Sequence, residues 1–79
     1  MNQQILINDD IHYDDKRQCL IFTAMVSGML VSCVIATTLP KEQALAHFKA
    51  HQFDYEMQAE QQIEEEAYSA QGEIELIQL

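Results

Sequence analysis

Apolar positions alternate along the chain on both sides of a Ser27-Gly28 pair. A fold at that pair sets Val26 against Met29, Ala24 against Val31, Phe22 against Cys33 and Leu20 against Ile35. Successive side chains of a strand point to opposite faces. Leu20, Phe22, Ala24, Val26, Met29, Val31, Cys33 and Ile35 therefore share one face with no polar member. Cys19, Ile21, Thr23, Met25, Leu30, Ser32, Val34 and Ala36 share the other, which is mixed. One dry face and one mixed face fit an antiparallel sheet covered on one side. The pattern predicts strands over 18–26 and 29–37.

The same stretch carries no charge from Cys19 to Leu39, and about twenty such residues suffice to span a bilayer as a helix. Lys16-Arg17 and Lys41 would be its basic flanks, and Ser27, Gly28 and Ser32 a small-residue helix face. Composition decides against the helix. Ile21, Thr23, Val26, Val31, Val34, Ile35, Thr37 and Thr38 are β-branched and suit a pleated surface. Gly28 lies where a tight hairpin needs positive φ.

A short strand over 3–8 precedes the hairpin, with Ile5 and Ile7 on one face and Leu6 on the other. Residues 9–17 read as a polar connection containing Ile11, His12 and Tyr13. After the hairpin, Thr38 is expected to cap a helix over 40–50, with Pro40 in its first turn and Ala44, Leu45 and Phe48 as an apolar stripe. A break at Gln52-Phe53 leads to a second helix capped by Asp54. Ala59, Ile63, Ala67 and Ala70 line one of its sides, with Met57 beside them. Glu60, Glu64 and Glu65 fall toward solvent, and Gly72 is the stop. A last strand over 73–79 alternates Ile74 and Leu76 with Glu73 and Glu75. Ile77 and Leu79 break that alternation and predict cover on both faces. The expected architecture is a single α+β domain over 1–79: a mostly antiparallel sheet of about four strands in the order β-β-β-α-α-β, with both helices on the dry face.

Charge narrows the function. The net charge is −9. The four basic residues Lys16, Arg17, Lys41 and Lys49 precede eight acids: Asp54, Glu56, Glu60, Glu64, Glu65, Glu66, Glu73 and Glu75. Nucleic-acid binding starts from phosphate neutralisation by Lys and Arg, which this chain is poorly equipped to provide. An anionic membrane surface is disfavoured on the same ground. No leader-like segment opens the chain, so the cytoplasm is expected. A chain of 79 residues buries roughly 60% of its unfolded surface, so dimerisation would add needed stability, and a homodimer is a live expectation.

Few residues suggest chemistry. Asp9, Asp10, His12, Asp14 and Asp15 offer oxygen and nitrogen ligands for a divalent cation. They lack the glycine and terminal glutamate of a helix-loop-helix calcium loop, and Asp is an ordinary turn residue. Asp14 is expected to pair with Arg17 or cap its turn, and Tyr13 to pack on the sheet edge. His47 and His51 sit one helical turn apart with no evident third ligand. Cations near a helix C-terminus need no metal to explain them. Cys19 and Cys33 fall on opposite sheet faces, which forbids a bond between them. No catalytic residue, metal or cofactor is assigned.

Tyr13-Asp14, Arg17, Phe22, Ala24, Gly28, Cys33 and Ile35 form one ordered set of landmarks. Ile63-Glu64, Ala67 and the Gly72 to Ile77 segment form another. Together they resemble a bacterial family of domains of unknown function, numbered 1488, from about Ile5 to Ile77. The resemblance implies a small α+β protein of proteobacteria and of the bacterial cytoplasm, with no activity to carry over. It also leads one to expect a basic residue three positions before Ile63, where this chain has Glu60.

The leading expectation is a non-enzymatic protein-interaction or regulatory module. Its contact residues would be Ile21, Met25, Leu30 and Val34 on the mixed sheet face and Glu60, Glu64 and Glu65 on the acidic helix, with self-association through the sheet first. One alternative is an acidic regulator that binds a basic, nucleic-acid-associated protein. Another is a metal-dependent enzyme using Asp10, His12 and Asp14.

Overall fold

The computed structural model describes residues 4–79; Gln3, expected in the first strand, lies outside them. The strands are β1 (Ile5–Ile7), β2 (His12–Asp14), β3 (Cys19–Val26), β4 (Met29–Ala36) and β5 (Ile74–Leu76); the helices are α1 (Lys41–Ala50) and α2 (Gln52–Glu64). Among the described residues no helix is long and apolar enough to cross a membrane. The uncharged run is the β3–β4 hairpin, with Val26 opposite Met29, Phe22 opposite Cys33 and Leu20 opposite Ile35. Its turn residues have φ of 50° at Ser27 and 85° at Gly28. Two positive-φ residues are what a tight two-residue hairpin of matching twist requires.

The fold class is α+β, with a five-stranded sheet that is mixed. β1 and β2 both run antiparallel to β3, β1 along its Ala24–Val26 end and β2 along its Cys19–Ile21 end. They form one edge interrupted at Thr23. There the Asn8 amide donates to the Thr23 carbonyl at 2.9 Å. The Thr23 amide donates to Asp10 Oδ1 at 2.9 Å and its hydroxyl to Oδ2 at 2.5 Å. The Asp10 carboxylate thus takes the place of a neighbouring strand's carbonyl, and the ladder continues past the interruption. β5 joins the other edge, parallel to β4 through Cys33, Val34 and Ile35. A parallel neighbour needs a long crossover, and the two helices supply it.

The core lies between the dry sheet face and the helices. Leu20, Phe22, Cys33 and Ile35 are at most 1% exposed, as are Tyr55, Ala59 and Ile63 of α2 and Ile74 of β5. Ala44 and Phe48 of α1 complete it, and Ile5, Ile7, Ile11 and Tyr13 pack at its margin. Met29 belongs to the dry face by register but is 70% exposed, because it sits at the turn, at the end of the sheet.

The polar connection expected over 9–17 contains β2. The helix caps also differ. Thr38 makes no cap; the Leu39 amide donates to Thr37 Oγ1, and Pro40 holds the cap position of α1 without a side-chain bond. The chain breaks at His51 rather than at Gln52-Phe53, so Asp54 lies in the first turn of α2 rather than at its cap. α2 stops at Glu64, and Ala67 and Ala70 are exposed outside it. Glu66 has φ of 56°. Its amide donates to the Ile63 carbonyl at 2.9 Å, and that of Ala67 to the Gln62 carbonyl at 3.0 Å. This is the bond pair of a Schellman stop. Three consecutive glutamates beside the negative end of a helix dipole make continuation unfavourable. β5 ends at Leu76, and Ile77 and Leu79 are exposed instead of covered on both faces.

Candidate interaction surfaces

The mixed sheet face divides in two. At the end nearer the helices' crossover, Cys19, Ile21 and Val34 form a second small buried cluster, 2%, 9% and 7% exposed. Arg17, in the turn between β2 and β3, reaches Glu73 at the start of β5. Its Nη1 and Nη2 donate to Oε2 and Oε1 at 3.0 and 2.8 Å. Arg17 and Glu75 also border a cleft over Cys19 and Val34. Ile21 and Val34, expected as contact residues, are therefore covered within the monomer. The hydrogen bond from Arg17 holds the Glu73 carboxyl below its ordinary range. Burial pushes the Cys19 thiol up, with the Arg17 charge opposing, and burial pushes Cys33 up to about 12. Both cysteines are free and buried.

A carboxyl whose folded pKa is depressed contributes stability above its unfolded pKa, and that contribution is lost as pH falls through the folded value. Glu73→Gln should therefore lower Tm slightly at neutral pH, since exposed pairs contribute little. The gap to the parent should close on acidification. A gap that stays constant down to strongly acidic pH would show that the Arg17 pair is not its source.

At the hairpin end the mixed face is open. Register aligns Leu6 with Met25, and Met25 with Leu30, across three strands. Leu6 is 57% and Leu30 64% exposed, while Met25 is half-buried. Beside them a cleft of about 380 Å³ is lined by Val26, Met29, Leu30, Val31, Tyr68 and Gly72. No charged side chain contributes to it. β5 pairs only with Cys33–Ile35, so among the described residues the β4 edge at Met29 and Leu30 has no neighbouring strand.

The third surface is the outer side of α2. Tyr55, Ala59 and Ile63 turn inward, which leaves Phe53 and Met57, 71% and 51% exposed, on the opposite side. Glu64 and Glu65 are exposed and Glu60 is half-buried. Asp54, Met57, Gln58, Glu60, Gln61 and Glu64 line a shallow groove along it.

The residues that suggested chemistry are used locally. Asp10 caps Thr23, and His12 Nδ1 lies 3.2 Å from the Asp10 carbonyl. Asp14 Oδ1 accepts from the Lys16 and Arg17 amides at 3.0 and 3.2 Å, capping its turn. Among the described residues no three His, Cys, Asp or Glu side chains converge on a shared ion position. The His47 and His51 rings lie with centroids 4.6 Å apart and planes tilted by 46°. His47 Nε2 is 2.9 Å from the Tyr55 hydroxyl, which also accepts from the Leu79 amide at 2.9 Å. Gln58 binds both the amide and the carbonyl of Ile77. Tyr55, Phe53 and Gln58 escaped the sequence argument. Tyr55 was findable, since it precedes Ala59 and Ile63 by four and eight positions.

The model of a family described as "Protein of unknown function (DUF1488)" matches residues 5–76. The uncharacterized protein YrdB of Escherichia coli K12 is 36% identical, over 91% of this chain and 94% of the relative. The YrdB protein of Shigella flexneri is 35% identical over the same shares. A crystal structure of a DUF1488 protein of unknown function from Shewanella loihica superposes with a TM-score of 0.86 at 35% identity, covering 96% of this chain and 94% of that one. With its hairpin, its two-helix crossover and its parallel last strand in place, the chain belongs to the DUF1488 family.

Proposed function

We propose that the protein is a small non-enzymatic interaction domain of the cytoplasm that self-associates through the hairpin end of its sheet. One observation carries this reading: Leu6, Met25 and Leu30 form an aligned apolar row, with Met29 and the unpaired stretch of β4 beside it, and no acid lies among them. Two chains that each carry −9 repel, and the cleft at this end is lined by no charged side chain among the described residues. A two-fold contact places the same patch on both copies, and an open strand edge is a template for pairing. Ile21 and Val34, buried at the other end of that face, take no part in the contact. The engagement of Asp10, His12 and Asp14 in local hydrogen bonds favours this reading over the metal-dependent enzyme.

The test is solution mass by light scattering over a concentration series. The parent should be a dimer at low and high salt, and Leu30→Asp and Met25→Asp should be soluble monomers. Leu30 is exposed, so its replacement leaves the fold intact, which an unchanged Tm would verify. A monomeric parent, or a variant that stays dimeric, overturns the proposal.

A further inference from the structure

We infer that the outer face of α2 is a docking site for a basic amphipathic helix of another protein. This goes beyond self-association and uses a different surface. A helix face turned away from its own core is ordinarily polar. Here Phe53 and Met57, one turn apart, are both more than half exposed. They make an apolar stripe continued by the shallow groove from Asp54 to Glu64.

The rim of that stripe is acidic. Asp54, Glu60 and Glu64 line the groove, and Glu56 lies one position before Met57. The one ion pair among the described residues is Arg17 with Glu73, so none of the described Lys or Arg side chains is paired with the rim. The complementary ligand has apolar side chains that cover Phe53 and Met57, with Lys or Arg on either side to meet the carboxylates. An amphipathic helix presents that pattern at the spacing of a helical groove. A second copy of this chain does not: it has four basic residues against thirteen acids, and its helix α2 carries neither Lys nor Arg. Charge complementarity thus selects a foreign, basic partner, and the apolar stripe distinguishes docking from mere counter-ion attraction.

The experiment titrates the 15N-labelled chain with a synthetic Leu–Lys peptide whose Leu residues recur at helical spacing, and with a scrambled peptide of the same composition. It is run in the Leu30→Asp variant as well as the parent, so that failure of self-association leaves it intact. The helical peptide should shift the amides of Phe53, Met57, Glu60 and Glu64 and bind at least about tenfold more tightly than the scrambled one. Phe53→Ser with Met57→Ser, and separately Glu60→Lys with Glu64→Lys, should each weaken it about tenfold. Added salt should weaken the parent complex. Equal binding of the scrambled peptide overturns the inference, as do shifts confined to the hairpin end or full affinity after loss of Phe53 and Met57. Should a double variant fail to fold, the amide shifts of the parent still decide.

Discussion

Phe22→Ala should lower stability by about 3–5 kcal/mol. Phe22 is 1% exposed at the centre of β3, and its ring lies 5.5 Å from that of Phe48, tilted by 50°. Truncation removes the transfer free energy of the ring and leaves a cavity between sheet and α1 that the rigid hairpin cannot close. At roughly 0.05–0.15 kcal/mol per residue, a chain of this size has about 4–12 kcal/mol in total. The variant should therefore lose between about a quarter and all of its stability. Urea denaturation followed by circular dichroism reads this directly. Leu6→Ala is the control: Leu6 is 57% exposed and should cost well under about 1 kcal/mol in the monomer. Similar midpoints for the two variants would mean that the core is not where the structure puts it.

Tyr55→Ala should be comparably damaging, and Tyr55→Phe separates its two contributions. The Tyr55 ring is fully buried and stacks on Phe48, with centroids 5.5 Å apart and planes within 13°. Losing the ring costs about 3–5 kcal/mol by analogy with other large aromatic truncations. The hydroxyl alone joins α1 to the last residues of the chain, through His47 Nε2 and the Leu79 amide. Removing it leaves both partners without their bond and should cost about 1–3 kcal/mol. Tyr55→Phe should also release the Leu79 amide to rapid hydrogen exchange while the hairpin amides stay protected. If Leu79 keeps its protection, the hydroxyl does not anchor the tail.

The hairpin was legible because its register is fixed by a period of two around one glycine, and a slip by one residue would have turned every apolar side chain to the wrong face. The single break in that reading is Met29, where the sheet simply ends. β2 was hidden because its strand character comes from pairing with β3. Flanked by aspartates, it shows only the Ile11 and Tyr13 alternation, and the Asp10 bond to Thr23 has no sequence signature. α2 was read too long because Ala67 and Ala70 continue its spacing, while the stop lies in the left-handed backbone of Glu66, a residue that rarely adopts it. The interaction surfaces were half legible. Met25, Leu30, Glu60, Glu64 and Glu65 are accessible to varying degrees. Ile21 and Val34 are buried with Cys19, beside a long-range pairing of Arg17 with Glu73 that no local pattern could announce. Phe53 beside Gln52 has no apolar neighbour in sequence to mark a helix face, and only the start of α2 at Gln52 puts it one turn from Met57.

The crossover between β4 and β5 also has a consequence in time. A ribosome delivers the hairpin first, and the two helices that cover its dry face are encoded after it. Leu20, Phe22, Val31 and Ile35 are complete as a strand pair before Phe48, Tyr55, Ile63 or Ile74 has been made. At about 5–20 residues per second, the roughly forty residues from Thr37 to Leu76 take about 2–8 s to synthesise. Through that interval the residues of the dry face lack their helical partners, so the helix side of the core closes only once synthesis is nearly finished.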